Sequence, residues 1–157
     1  MPLKIGDKAP EFTLLDTEKK PRSLKEFQGK KTVLVFYPGA FTGVCTKEWC
    51  TLRDSIAAFN LVNAQVVGVS VDSPFANKGF ANHNKLTFPL LSDYKRDVVS
   101  SYGIELHDFS GIPGYITAKR AVYVLDAHGV VKYAWVSDDP GVEPPYDQVR
   151  NALTSFS

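Results

Sequence analysis

The stretch Thr32-Val33-Leu34-Val35-Phe36-Tyr37-Pro38-Gly39-Ala40-Phe41-Thr42-Gly43-Val44-Cys45 passes from an unbroken apolar run through a Pro/Gly turn to a thiol. Residues 31–37 carry Val, Leu and Phe without polar alternation, the pattern of a strand buried on both faces. Beyond the thiol, Trp49, Leu52, Ile56 and Phe59 recur at spacings of three and four, one apolar face of a helix over 46–59. Strand, turn and helix in that order put Cys45 at a helix N-terminus. Backbone N–H groups there lack intrahelical partners and favour an anion. A thiolate so placed is a nucleophile.

Working outward, residues 12–15 read as a short strand, and Ser23 reads as the cap of a short helix containing Leu24 and Phe27. Residues 65–71, Gln-Val-Val-Gly-Val-Ser-Val, form a second buried strand. Asp72-Ser73-Pro74 starts a helix with proline in its first turn. Residues 88–91 are a short strand, expected at a sheet edge because Pro89 lacks an N–H. A helix carrying Val98, Val99 and Tyr102 stops at Gly103, and 111–114 is a loop. Residues 121–125 and 130–136 flank Asp126-Ala127-His128-Gly129 as a hairpin. Residues 138–145 are a loop, and 146–156 a closing helix. Parallel βαβ units followed by an antiparallel hairpin predict an α/β fold. The expected architecture is a thioredoxin-like core, a central mixed sheet with helices on both faces, forming one domain over 1–157.

The chain has 157 residues, 44% hydrophobic and 22% charged, which suits a soluble domain with a sizeable core. A formal net charge of +1 and the absence of a dense Lys/Arg run exclude a broad nucleic-acid footprint. No apolar run approaches a membrane span, and the N-terminus lacks the charged-then-apolar pattern of a signal peptide. Two cysteines are too few for a disulfide framework. The expected compartment is the cytoplasm, where a transient catalytic bridge is allowed and a permanent one is not.

Pro38-x-x-x-Thr42-x-x-Cys45 resembles the active-site signature of the peroxiredoxins. The resemblance extends through Gly6-Asp7-Lys8-Ala9-Pro10-Glu11-Phe12, Phe88-Pro89-Leu90-Leu91-Ser92-Asp93 and Arg120-Ala121-Val122-Tyr123-Val124-Leu125-Asp126. It implies a thiol-dependent peroxidase acting on hydrogen peroxide and organic hydroperoxides without cofactor or metal. By this resemblance Cys45 attacks the O–O bond as thiolate and becomes a sulfenic acid. Arg120, which begins a predicted strand, would stabilise the thiolate, so the Cys45 thiol is expected below its ordinary value. Thr42 would hydrogen-bond the peroxide. The Gly43, Val44 and Cys45 backbone would support charge on the oxygens. Pro38 would fix the turn and exclude water, and Glu48 would help order the polar network.

The spacing Cys45-Thr46-Lys47-Glu48-Trp49-Cys50 is similar to that of the bacterioferritin comigratory protein or peroxiredoxin Q group, which implies Cys50 as the resolving thiol. Ideal helix geometry puts the two Cα atoms roughly 8.6 Å apart. A disulfide needs about 7 Å or less. The helix must therefore unwind before the bridge forms. The chain also resembles the one-cysteine alkyl hydroperoxide reductase E group, in which position 50 has no role. Resolution by Cys50 and a non-catalytic Cys50 both stay open, as do monomer and homodimer. A thioredoxin-like or other thiol reductant completes the implied cycle.

Other features are bland. His83, His107 and His128 match no zinc spacing, and Asp138-Asp139 lies in a Pro/Gly loop. Tyr133 and Trp135 read as packing or interface residues rather than a cofactor box. A thiol–disulfide oxidoreductase is the runner-up, disfavoured because the cysteines do not form Cys-x-x-Cys. A non-catalytic binding module is disfavoured by the intact Pro38, Thr42, Cys45 and Arg120 set.

Overall fold

A computed structural model describes residues 3–55 and 63–156. Ile56 and Phe59, expected on the apolar helix face, lie outside the described residues. In chain order the strands are β1 (Thr13–Leu15), β2 (Pro21–Ser23), β3 (Lys31–Phe36), β4 (Ala64–Ser70), β5 (Leu90–Ser92), β6 (Glu105–Leu106), β7 (Thr117–Ala118), β8 (Arg120–Leu125) and β9 (Val131–Ser137). Among the described residues the α-helices are α1 (Gly43–Asp54), α2 (Pro74–Asn84), α3 (Asp97–Ser101) and α4 (Tyr146–Thr154).

Among the described residues, seven strands form one mixed sheet in the order β2-β1-β5-β4-β3-β8-β9. The pairs β3–β4 and β4–β5 are parallel, and β8 runs antiparallel to β3. Alternate residues of β3 face opposite sides, as strand geometry requires. Leu34 and Phe36 join Val98, Val99 and Tyr102 on the α3 face. Val33 and Val35 join Trp49, Phe80 and Leu153 on the face covered by α1, α2 and α4. The mixed sheet with helices on both faces is as expected.

Two local expectations are corrected. The strand near Pro89 is interior, between β4 and β1, because Pro89 precedes the first ladder residue. Its carbonyl accepts from Gly68 N–H at 2.9 Å. On the other side β1 pairs with β5 only at Leu15–Ser92, so the missing proline N–H is not called on. Second, the helix starts at Gly43 rather than Thr46, which takes Cys45 into its first turn. Strand β2 and the small β6–β7 pair, both very short, were not anticipated.

The contact between α1 and the sheet is tight at one point. A methyl group at Gly68 would lie 2.5 Å from Trp49 Cζ2 and 2.7 Å from Leu90 Cδ2. Both neighbours are fully buried, so neither can yield cheaply. Gly68→Ala is expected to cost about 1–3 kcal/mol by overpacking. Urea unfolding checks this, and an unchanged midpoint would contradict it.

Candidate active site

The end of β3 delivers the chain into a buried Tyr37-Pro38-Gly39 segment. Phe41 then adopts φ 66°, the left-handed region that a bulky residue avoids. Its ring packs edge-on against Phe80, with centroids 5.4 Å apart, which helps hold the strained turn. Asp72 anchors the same turn by accepting from Ala40 N–H at 2.8 Å and from Ser70 Oγ at 2.8 Å. Tyr37 OH donates to Asn77 Oδ1 at 2.7 Å, and Asn77 Nδ2 donates to Ser92 Oγ at 3.2 Å. A buried polar network from α2 and the strand ends therefore sets the turn.

Thr42 is the N-cap residue of α1, yet its hydroxyl does not cap the helix. It donates instead to the Gly39 carbonyl at 2.8 Å. The first helical bond runs from Thr46 N–H to Thr42 C=O at 2.9 Å. The amides of Gly43, Val44 and Cys45 come before that ladder, at the positive end of the helix. Cys45 itself is fully buried.

Arg120 opens β8, and the β3–β8 pairing aligns Ala121 with Phe36. That register carries Arg120 past the end of β3, over the first turns of α1. Its Nη2 donates to Cys45 Sγ at 3.1 Å and its Nη1 to Glu48 Oε1 at 2.8 Å. Nε and Nη2 also reach the Pro140 carbonyl, at 3.2 and 2.8 Å. Both Arg120 and Glu48 are at most 1% exposed. The 138–145 loop closes over the guanidinium. Lys47 Nζ pairs with Glu143 Oε2 at 3.1 Å, and Tyr146 OH donates to Glu143 Oε1 at 2.8 Å.

One cation thus serves two buried acids. Burial pushes Glu48 up to about 7, against the charge of Arg120 and its hydrogen bond. Glu48 Oε2 has no hydrogen-bond partner among the described residues. Burial also pushes the Cys45 thiol up, opposed by the charge of Arg120, the Thr42 hydroxyl, the Gly39 backbone and the Arg120 hydrogen bond. The expectation of a thiol held below its ordinary value is corrected here. The groups that stabilise an anion are in place, but withdrawal from water outweighs them in this buried site.

The expected site residues thus divide by position. Arg120 reaches the Cys45 sulfur and Glu48 holds Arg120, while Pro38, Thr42, Gly43 and Val44 lie in the turn and first helical residues that lead into Cys45. Cys50 lies further along the same unbroken helix, half-buried, with its thiol directed to Asn84 Oδ1 at 3.6 Å. Both thiols are free. Sequence reasoning missed Asp72, Asn77 and the Pro140 carbonyl. Ser73 and Pro74 marked a helix start beside Asp72, but nothing marked a loop carbonyl as a guanidinium acceptor.

Among the described residues no cluster of three or more His, Cys, Asp or Glu side chains could hold a metal. A cavity of about 430 Å³ bordered by Thr13, Asp93 and Ser101 shares no residue with this site.

Comparison with known proteins agrees with the geometry. Residues 5–134 match the AhpC/TSA family. The chain is 43% identical over 130 residues to a chloroplastic peroxiredoxin Q of Sedum lineare, covering 83% of this chain and 67% of that protein. It is 42% identical to a chloroplastic peroxiredoxin Q of Populus jackii, covering 81% of this chain and 57% of that longer protein. The crystal structure of peroxidoxin BcpB from Mycobacterium tuberculosis superposes with a TM-score of 0.86 at 31% identity, covering 99% of both chains.

Proposed function

The chain belongs to the AhpC/TSA family, a membership that implies thiol-dependent peroxide reduction, and from that premise we propose that Cys45 is the sulfur that attacks the peroxide. The observation that carries the proposal is the Arg120 fork, which brings a guanidinium to 3.1 Å from Cys45 Sγ at the first turn of α1. In this reading Cys45 loses its proton and attacks one peroxide oxygen. The S–O bond forms as the O–O bond breaks, and the departing oxygen takes a proton to leave as water or an alcohol. Arg120 and the first amides of α1 face the charge that develops on sulfur and oxygen, and the Thr42 hydroxyl turns from the Gly39 carbonyl to the bound peroxide. Pro38 shapes a buried turn that excludes water. Glu48 and Pro140 hold the guanidinium in its orientation.

The second half of the cycle belongs to Cys50. Its thiol attacks the Cys45 sulfenic sulfur, expelling water and leaving a Cys45–Cys50 disulfide. The two residues share a continuous helix with both thiols free, so α1 must open between them. A dithiol reductant of the thioredoxin type then restores both thiols. Hydrogen peroxide and small organic hydroperoxides are the proposed substrates, turned over within one domain by a monomer or homodimer. Among the described residues no helix is long and apolar enough to cross a membrane. The proposed compartment is the cytoplasm, although the two plant relatives are chloroplastic proteins.

The test is the mass and thiol count after one equivalent of hydrogen peroxide. Wild type is expected to lose both thiols and two hydrogens. Cys50→Ser is expected to lose one thiol and retain an added oxygen on Cys45. A wild-type protein that stops at the sulfenic acid would remove Cys50 from the cycle and favour the one-cysteine reading. Oxidation mapped to any residue other than Cys45 would remove the proposal itself.

A further inference from the structure

Two side chains of α1, one helical turn apart, end on the same residue of α2. Cys50 directs its thiol to Asn84 Oδ1 at 3.6 Å, and Arg53 Nη1 donates to the Asn84 backbone carbonyl at 2.7 Å. Asn84 is the last residue of α2 and is 8% exposed. Its amide is fixed in turn, with Nδ2 donating to Phe80 O at 3.1 Å.

The chemistry of a helix end explains why this spot binds α1. The last carbonyls of a helix have no intrahelical partner. Lys85 closes α2 in the left-handed conformation, and its N–H goes back to Ala81 and Asn82. Leu86 N–H also returns to Ala81 O, at 2.8 Å. These turns leave the Asn84 carbonyl to Arg53, a cation at the negative end of the helix dipole. The contact is therefore a cap on α2 supplied by α1.

We propose that Asn84 and Arg53 form a latch that holds the Cys50 segment of α1 helical, and that its release sets the rate of disulfide formation. Arg53 and Asn84 are positioning residues and touch no reacting atom. The latch rests on the reading of Cys50 as the resolving thiol, but its hold on Cys50 can be measured without that reading. While the latch is closed, Cys50 faces Asn84 and the helix keeps it from Cys45. A sulfenic acid at Cys45 then waits, and a second peroxide can convert it to sulfinic acid. Opening the latch frees Cys50 to move toward Cys45, which favours the bridge over further oxidation.

Arg53→Met and Asn84→Ala test the latch in two measurements. The first is alkylation of Cys50 by iodoacetamide in a Cys45→Ser background, where no peroxide chemistry intervenes. Labelling is expected to accelerate on the order of three- to tenfold in both variants. Arg53→Lys, which keeps a cation at the carbonyl, is expected to restore most of the protection. The second is rapid mixing of the Cys45-containing variants with peroxide. The sulfenic acid is expected to form at the wild-type rate, the disulfide to follow several-fold faster, and the sulfinic fraction under excess peroxide to fall. Unchanged labelling of Cys50 would overturn the latch. So would faster labelling with an unaltered rate of disulfide formation. If labelling accelerates but wild type and variants alike form no disulfide, the latch still governs exposure of Cys50. The proposal that this exposure sets disulfide formation then falls together with Cys50 as resolver.

Discussion

Replacing Arg120 by methionine is expected to slow oxidation of Cys45 by peroxide about 10- to 100-fold. Methionine keeps much of the apolar stem while removing the charge and every donor. The lost interactions are charge-assisted hydrogen bonds, worth about 1.5–3 kcal/mol each in a dry site. About 1.4 kcal/mol corresponds to a factor of ten in rate. The charge of Arg120 is the largest influence opposing the burial that pushes the Cys45 thiol up, so its removal pushes the thiol higher still. Folding suffers as well. Glu48 Oε1 and the Pro140 carbonyl lose their partner, and an orphaned member of a buried ion pair costs about 3–5 kcal/mol. Glu48 can limit that cost by taking up a proton, so the loss should be larger at pH 8 than at pH 6. Arg120→Lys keeps the charge but cannot reach sulfur, carboxylate and carbonyl together, and should fall between the two. Stopped-flow fluorescence of Trp49, beside Cys50, follows the reaction, and urea titration follows stability. A methionine variant reacting within about twofold of wild type would remove Arg120 from the chemistry.

Glu48→Gln is expected to remove a pH dependence of stability. An ordinary glutamate carboxyl titrates near 4.5, and in the folded protein burial pushes Glu48 up to about 7. Between those values the unfolded chain has released the proton and the folded chain retains it. The unfolded state binds fewer protons there, so stability falls as pH rises through the window. The contribution is fully present below the unfolded value and is gone above the folded one. Its size, at about 1.4 kcal/mol per pH unit of separation, is on the order of 3 kcal/mol. Chemical denaturation at pH 5 and pH 8 should show this decline in wild type and not in Glu48→Gln. Parallel declines in both proteins would place the titration elsewhere. Cys45 and Glu48 share one guanidinium and therefore titrate as a coupled pair. Without the competing carboxylate the Cys45 thiol should come down, so the Gln variant should retain or gain peroxide reactivity at neutral pH.

The strand, turn and helix that carry Cys45 were legible because each has its own local signal. Those signals are a continuous apolar run, a Pro/Gly turn and apolar residues at helical spacing. Arg120 stands at the start of a strand legible from its apolar run, its role came from family resemblance, and the antiparallel pairing of β3 with β8 brings it to the sulfur. Pro89 misled, because a missing N–H matters only where a neighbouring strand would accept it. Asp72, Asn77 and the Pro140 carbonyl had no legible role. A buried amide, a carboxylate past a strand end and a loop carbonyl make no periodic pattern. The direction of the Cys45 shift was misjudged for a related reason. Helix end and guanidinium can be inferred from neighbours in a motif, whereas the depth of burial opposing them depends on how α1, α4 and the 138–145 loop close together.

The most direct measurement is the pH dependence of Cys45 alkylation in a Cys50→Ser background, with Arg120 present and with Arg120→Met. Ionisation of Cys45 against the guanidinium predicts that the midpoint moves to higher pH when Arg120 is lost, and that the thiol labels more slowly at neutral pH. Superimposable curves for the two proteins would contradict the account.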